Sequence, residues 1–323
     1  MQSDSWIDEY IKLLFPVSNI DLKIEEAVKL KYVNTPNSLF KYRTCNEYSF
    51  TNLEEDYIWM SNPVNFNDPY DCGISFKSEP LQVSLLRSKL NYIGDYMGVY
   101  LSKEEILFLE RSNNFIQDFF SITFSKLDSK LTNDELQIFA QSMNNFFLNE
   151  HMATVESYKH MILSSNYVSC FSETNESILM WSHYADYHRG FCIEYDFKSL
   201  GISDLRFRML EPVLYRNEMF DISLYFNAET ISNNTANNFV ALYASMIKSS
   251  EWAYEKEWRI VISNGVFDKE GVLAVPKPKS IYLGVKVPKE DRERLYMIAE
   301  KRNIPIYQMK MSENKFLLYS EKS

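Results

Sequence analysis

Residues 168–195 constrain the fold of this chain more than any other stretch. Residues 168–171 and 191–195 are β-branched and aromatic runs of strand length. Apolar residues recur between them at helical spacing, with Thr174 in the position of an N-cap and Gly190 where a helix would stop. The pattern therefore predicts strand, helix and strand in direct succession, and any functional site is expected here.

The composition excludes several function classes. The chain has 323 residues, of which 46% are hydrophobic, so it can bury a core. It has eight glycines and neither a GxGxxG nor a GxxxxGKS/T motif, which argues against Rossmann and P-loop nucleotide sites. A net charge of −10 disfavours broad nucleic-acid binding, because that requires Lys and Arg to neutralise phosphates. The cysteines lack CxxC spacing and no apolar run approaches membrane-spanning length, so we expect a cytoplasmic protein without a membrane span.

Helix and strand patterns alternate without a regular βαβ period, which favours a mixed α+β core over a doubly wound sheet. Residues 1–37 predict two short helices that pack on the core, and residues 38–323 predict a single α+β domain. Two capping boxes followed by apolar residues at helical spacing predict a helical insertion at about 80–164. Beyond the central stretch, residues 233–247 predict a further helix.

The histidine spacing argues against a zinc site. His183 and His188 lie five residues apart, which places them about 140° apart around a helix. The chain has no HExxH motif, and Ser172 lacks the G-x-S-x-G context of a hydrolase nucleophile. No metal is therefore expected, whereas a Cys170–His183 pair stays open.

Glu255 and Glu257 form the most suggestive acidic pair. Two residues apart in an extended segment, they point to the same side. Two carboxylates facing one cleft can orient a sugar hydroxyl and stabilise an oxocarbenium-like centre. The alternative interpretation is a salt-bridged surface edge with Lys256 and Arg259.

Several motifs, in this order along the chain, resemble one bacterial family, the domain of unknown function 2971. They are Lys41-Tyr42-Arg43, the Asn-, Asp- and Pro-rich run 61–71, Cys170-Phe171-Ser172-Glu173, Met180-Trp181-Ser182-His183-Tyr184-Ala185 with Gly190, Tyr254-Glu255-Lys256-Glu257-Trp258-Arg259, and Ile281-Tyr282-Leu283-Gly284. The resemblance spans roughly residues 38–310. It supplies no reaction by itself.

The chain also resembles ADP-ribosyltransferases of the DNA-targeting toxin type. That resemblance implies a mostly antiparallel sheet core, NAD as co-substrate, and an acceptor that is a protein or a nucleic acid. Glu257 would contact the nicotinamide ribose and stabilise the cationic transition state, and Glu255 would orient the acceptor. The residues expected around NAD are Tyr42, Arg43, Asn67, Asp68, Ser172, Trp181, His183, Tyr184 and Arg259. The chain departs from the pattern in having a single Ser172 in place of a Ser-Thr-Ser run and no His-x-Thr in its first strand.

The resemblance implies a bacterial toxin or phage-defence effector, for which a partner or antitoxin protein is expected. One alternative is a non-catalytic ligand-sensing or interaction domain, in which Glu257 and Arg259 form a buried ion pair. Another is a nuclease or other hydrolase that holds Mg²⁺ on the acids Asp68, Asp71, Glu255 and Glu257. If Arg43, Ser172 and Glu257 line one open cleft, the enzyme interpretation gains; a sealed core around Glu257 would weaken it.

Overall fold

The computed structural model describes residues 5–76, 81–127, 132–225, 233–263 and 271–323. Its α-helices are α1 (Ser5–Leu14), α2 (Ile24–Asn34), α3 (Glu47–Glu55), α4 (Leu81–Ser88), α5 (Leu90–Tyr96), α6 (Lys103–Arg111), α7 (Phe115–Lys126), α8 (Asn133–Ser165), α9 (Ile178–Tyr184), α10 (Leu205–Arg208), α11 (Val240–Met246) and α12 (Lys289–Arg302). Within these ranges, none of the helices combines the length and the apolar character that crossing a membrane requires.

The strands are β1 (Leu39–Arg43), β2 (Tyr57–Trp59), β3 (Ile74–Ser75), β4 (Asn166–Ser172), β5 (Phe191–Tyr195), β6 (Leu210–Pro212), β7 (Leu214–Arg216), β8 (Phe220–Asp221), β9 (Ile247–Ser249), β10 (Glu257–Ser263), β11 (Val272–Ala274), β12 (Ser280–Leu283), β13 (Ile306–Met311) and β14 (Leu318–Lys322). Eight of them form the main sheet, in the order β14-β13-β12-β5-β1-β4-β10-β6. Within this sheet only β12 and β13 run parallel. The predicted mixed, mostly antiparallel α+β architecture is confirmed.

Strands β4 and β10 form the longest ladder of the sheet. They pair through seven residues, from Glu257 opposite Ser172 to Ser263 opposite Asn166. The apolar residues Phe171, Trp258 and Ile260 join the main core on one face. Because side chains alternate along a strand, Ser172 and Glu257 project to the opposite face. The ladder therefore fixes the serine and the acid side by side.

Helices α4 to α8 follow one another between β3 and β4, in the stretch where the helical insertion was predicted. Both capping boxes form: Ser102 with Glu105 begins α6, and Thr132 with Glu135 begins α8. The insertion has a core of its own, built largely of aromatic and branched residues such as Leu109, Phe115 and Phe119.

A buried polar cluster links the two N-terminal helices to strand β6 of the main sheet. The Lys31 ammonium on α2 donates to Glu211 Oε1 on β6 at 2.8 Å, and Tyr10 on α1 donates to Glu211 Oε2. Lys31 and Glu211 are fully buried, so each charge depends on the other for its stability.

Two predicted helix boundaries were wrong. Helix α9 is capped by Ser177, whose hydroxyl accepts the Met180 N–H, while Thr174 forms a turn with Glu176 instead. The helix expected over 233–247 begins only at Val240. The reason is that Asn237 donates its amide to Leu14 and Pro16 carbonyls, which ties the preceding residues to the N-terminal segment.

Candidate functional site

A cleft of about 700 Å³ opens at the centre of the main sheet. Among the described residues, β1 pairs with β4 only through Phe40 and Ser172, whereas it pairs with β5 along its whole length. Away from that single pair, residues from both faces of β1 reach the cleft. Its volume lies in the range of small-molecule and cofactor sites, roughly 300–1,000 Å³.

Most of the predicted site residues line this cleft. They are Tyr42, Arg43, Asn67, Ser172, Tyr184, Glu255 and Glu257. Arg43, Ser172 and Glu257 come from the neighbouring strands β1, β4 and β10, and all three line the cleft. Ser172 and Glu257 are almost completely buried, and Arg43 projects from the other face of β1, because it lies three residues from Phe40, the partner of Ser172. The enzyme interpretation stays a prediction.

The other predicted residues lie elsewhere. Trp181 is completely buried behind Tyr42 and donates its indole N–H to the Asn175 carbonyl. Asp68 lines a neighbouring cavity of about 340 Å³, and His183 is exposed on α9. Arg259 is fully buried and pairs with Glu257 and Asp71.

Glu255 and Glu257 converge on the ammonium group of Lys248. Lys248 Nζ lies 2.5 Å from Glu255 Oε2 and 2.9 Å from Glu257 Oε2. The intervening Lys256 adopts a left-handed conformation with φ 45°, so the segment is not extended as predicted. The two carboxylates nevertheless face the same side, since both bind the Lys248 ammonium group.

A second buried cation, Arg259, binds Glu257 together with Asp71. Arg259 Nε lies 2.8 Å from Glu257 Oε1, and its two terminal nitrogens each lie 2.7 Å from an oxygen of Asp71. This is the buried Glu257–Arg259 ion pair that the non-catalytic alternative predicts. The surface salt-bridge interpretation pairs the acids with Lys256 as well as Arg259. Lys256 is exposed, and the lysine that pairs with Glu257 is Lys248.

The two acids have opposite electrostatic environments. Burial raises the pKa of Glu257, but the charges of Arg259 and Lys248 outweigh burial and hold that pKa well below its usual range. For Glu255, burial and then the charge of Glu257 raise the pKa above its ordinary value, although Lys248 opposes them. Paired carboxylates with pKa values pushed apart are typical of acid–base sites.

Ser172 and Tyr184 position Glu255. The Ser172 hydroxyl donates to the Glu255 backbone carbonyl at 2.6 Å, and the Tyr184 hydroxyl donates to Glu255 Oε1 at 2.7 Å. Helix α9 places Tyr184 over the cleft, and β4 places Ser172 at its floor. The central stretch of the sequence thus fixes both the backbone and the carboxylate of Glu255.

Arg43 places a positive charge at the edge of the cleft, close to Tyr195. In the part of the chain that the structure describes, its guanidinium has neither a hydrogen-bond acceptor nor a carboxylate partner, and burial lowers its pKa. Gly190 packs so tightly against the Arg43 carbonyl that an added Cβ would collide with it. A half-buried cation without a protein partner is the arrangement expected of an anion-binding residue.

Two lysines of the cleft were missed by sequence reasoning. Lys41 donates to Ser169 and to the Cys170 carbonyl, and burial, then the Arg43 charge, lowers the pKa of Lys41 to about 8. Lys248 on β9 follows the apolar run of α11. The sequence did contain a signal for Lys248. It is a single lysine at the end of an apolar run, and a lysine that is buried with such a run needs an anionic partner.

Neither the metal nor the thiol alternative gains support from the geometry. Across the described ranges, no three His, Cys, Asp or Glu side chains converge in a way that could hold a metal ion. Burial, with a contribution from the charge of Glu257, raises the pKa of the Cys170 thiol well above its ordinary value. A thiol in that environment is a poor nucleophile.

Comparisons with known proteins give one match. No curated protein and no solved structure matches the chain. Residues 180–260 match the family described as Protein of unknown function (DUF2971). That stretch includes Tyr184, Lys248, Glu255, Glu257 and Arg259, and therefore most of the acid-binding side of the cleft. The match supports the resemblance to this family over residues 180–260, and the motifs at 41–43, 61–71, 170–173 and 281–284 lie outside the matched stretch.

Proposed function

We propose that this protein is an NAD-dependent ADP-ribosyltransferase that modifies a macromolecule, as a bacterial toxin or phage-defence effector. The observation that carries the proposal is the meeting of Arg43, Ser172 and the Glu255–Glu257 pair in one cleft. Arg43, Ser172 and Glu257 come from three neighbouring strands of a mostly antiparallel sheet, and Glu255 lies in the short helical segment just before β10. Along the chain they follow one another as the resemblance to ADP-ribosyltransferases implies.

The charge distribution of the cleft supports NAD as the ligand. Lys41 and Arg43 lie on β1, and Arg43 has no acceptor among the described residues, so it is available to a pyrophosphate. Glu255 and Glu257 line the same cleft, where they would stabilise a cationic nicotinamide ribose. The aromatic side chains of Tyr42 and Tyr184 provide apolar contact for the ring and sugar between these charges.

The hydrogen-bond inventory assigns different roles to the two acids. Glu257 already accepts from Lys248 and from two nitrogens of Arg259. Glu255 accepts one bond on each oxygen, from Tyr184 and Lys248. A carboxylate has about four acceptor positions. Glu255 therefore keeps positions for a substrate hydroxyl, whereas Glu257 supplies a permanent negative charge beneath it.

The reaction balances with these groups. The bond between C1′ of the ribose and the nicotinamide nitrogen breaks, and its electron pair leaves with neutral nicotinamide. An oxygen or nitrogen of the acceptor forms the new bond to C1′ and loses its proton. Glu255, with its raised pKa, is suited to take that proton, and the charge of Glu257 stabilises the oxocarbenium-like centre.

The second candidate is a non-catalytic ligand-sensing domain on the same fold. The observation that favours it is the buried network of Glu257, Arg259, Asp71 and Lys248, which serves equally well to brace a binding site. It differs from the first candidate in one outcome: NAD or another anionic ligand would bind without chemical turnover.

The test combines binding with turnover. Purified protein is titrated with NAD in a thermal-shift assay, and nicotinamide release is then measured with a cell lysate as the source of acceptor. The transferase proposal expects both a stabilising shift and release. A shift without release supports the sensing domain, and the absence of both contradicts NAD as the ligand.

A further inference from the structure

Helix α8 presents an unusual surface. It runs for 33 residues, of which Ala140, His151, Val155 and Ile162 are buried. Residues 136–149 contain no charged side chain, although the chain as a whole carries a net charge of −10. A solvent-facing helix normally carries charges on its outer face, so this neutral segment requires a reason.

The exposed face of α8 has the spacing of a helix–helix seam. Five of its residues alternate steps of three and four, which is the a/d pattern of a two-helix contact. They are Ile138, Gln141, Asn145, Leu148 and Met152. Ile138 and Met152 are 66% and 65% exposed, and Leu148 is 43% exposed. The opposite face of the helix, through Met143 and Phe147, already packs on the insertion core.

The chemistry of this seam selects a second copy of the chain as the partner. Across a twofold axis each residue meets residues of its own surface, so a charge there would face a like charge. An amide offers both a donor and an acceptor and can therefore pair with its own copy, and a central Asn at an a position favours a two-stranded contact. Gln141 and Asn145 occupy the middle of the stripe, and a charged partner would find no pairing group here.

We propose that residues 138–152 of α8 form a two-helix interface with the same residues of a second copy. The flanking residues Ser142, Phe146 and Asn149 are also uncharged and exposed, which is consistent with an interface that excludes charge. Of the residues that line the cleft, none lies on α8, so the dimer leaves the cleft open.

The test is the molar mass of the full chain in solution, measured by light scattering over a concentration series. The proposal expects twice the 38.2 kDa of one chain at high concentration, and a monomer for Ile138→Glu and Leu148→Glu. The matched control is Phe108→Glu, which changes an exposed residue of α6 in the same insertion and is expected to leave the dimer intact. Far-UV circular dichroism and melting temperature confirm that each variant is folded.

A cysteine cross-link locates the interface independently. The four native cysteines all lie outside the insertion, so Asn145→Cys adds a single new thiol at the centre of the stripe. The proposal expects a disulfide-linked dimer on mild oxidation that the native chain does not form. A wild-type chain that is monomeric at every concentration, or a dimer that Ile138→Glu leaves intact, would overturn the proposal.

Discussion

At the residue scale, the ammonium group of Lys248 holds the carboxylates of Glu255 and Glu257 together. Lys248 binds both Glu255 and Glu257 and lies 3.7 Å from Asp71. The spacing of the two acids was enough to predict that they face one side. The position of Lys248 could not be predicted, because it depends on the parallel pairing of β7 with β9, two three-residue strands without a strong pattern.

Glu257→Gln is expected to lower the free energy of unfolding by about 3 kcal/mol at neutral pH, because it removes a charge that pairs with both Lys248 and Arg259 in a buried site. The depressed pKa of Glu257 means that its contribution is complete above the ordinary glutamate pKa, about 4.3, and is lost as pH falls below it. Urea unfolding of both proteins at pH 7 and at acidic pH measures the difference. An equal effect at both pH values would contradict this electrostatic origin.

The raised pKa of Glu255 gives a prediction for catalysis. If Glu255 takes the acceptor proton, it must be ionised, so kcat/KM rises as pH increases through its folded-state pKa. The acid limb of the profile is therefore expected above the ordinary glutamate pKa of about 4.3. Nicotinamide release measured across pH gives this profile. A limb at or below that value would show that another group controls the rate.

At the scale of elements, strand and helix types were predictable where the pattern is strong, as in β4, α9, β5 and the insertion. Pairing was not predictable. Among the described residues, the single ladder pair between β1 and β4, beside which the cleft opens, joins Phe40 and Ser172 across more than a hundred residues of intervening chain. The start of α11 was missed because Asn237 bonds to carbonyls of Leu14 and Pro16 instead of continuing a helix.

The N-terminal helices are expected to be part of the folding unit. Lys31→Ala leaves the buried Glu211 carboxylate without its cation and should lower the free energy of unfolding by about 3–5 kcal/mol. Lys29→Ala changes an exposed residue of the same helix and should stay within about 0.5 kcal/mol of the native chain. Denaturant unfolding compares the two. Similar losses would mean that the α2 contact with β6 contributes little.

At the scale of the whole molecule, the main sheet carries the cleft while the N-terminal helices and the insertion pack as additional cores around it. The α+β class followed from the interleaved patterns, and the family region covers the segment from α9 into β10. The cleft is lined by Lys41 and Arg43 of β1 and by the acid pair Glu255 and Glu257, which Lys248 bridges. In the proposed function, the β1 cations would bind the phosphates of NAD, and the acids would stabilise its developing positive charge.

The measurement that tests this conclusion most directly is nicotinamide release by two matched variants. Glu255→Gln removes the proton-accepting carboxylate, and Glu251→Gln changes an exposed glutamate of the same short helical segment. We expect the first to lower the rate at least about 100-fold, as loss of a general base does, in a variant that far-UV circular dichroism shows to be folded, and the second to match the native protein. Equal release by both variants, or no NAD-dependent release from the native protein, would contradict the transferase proposal.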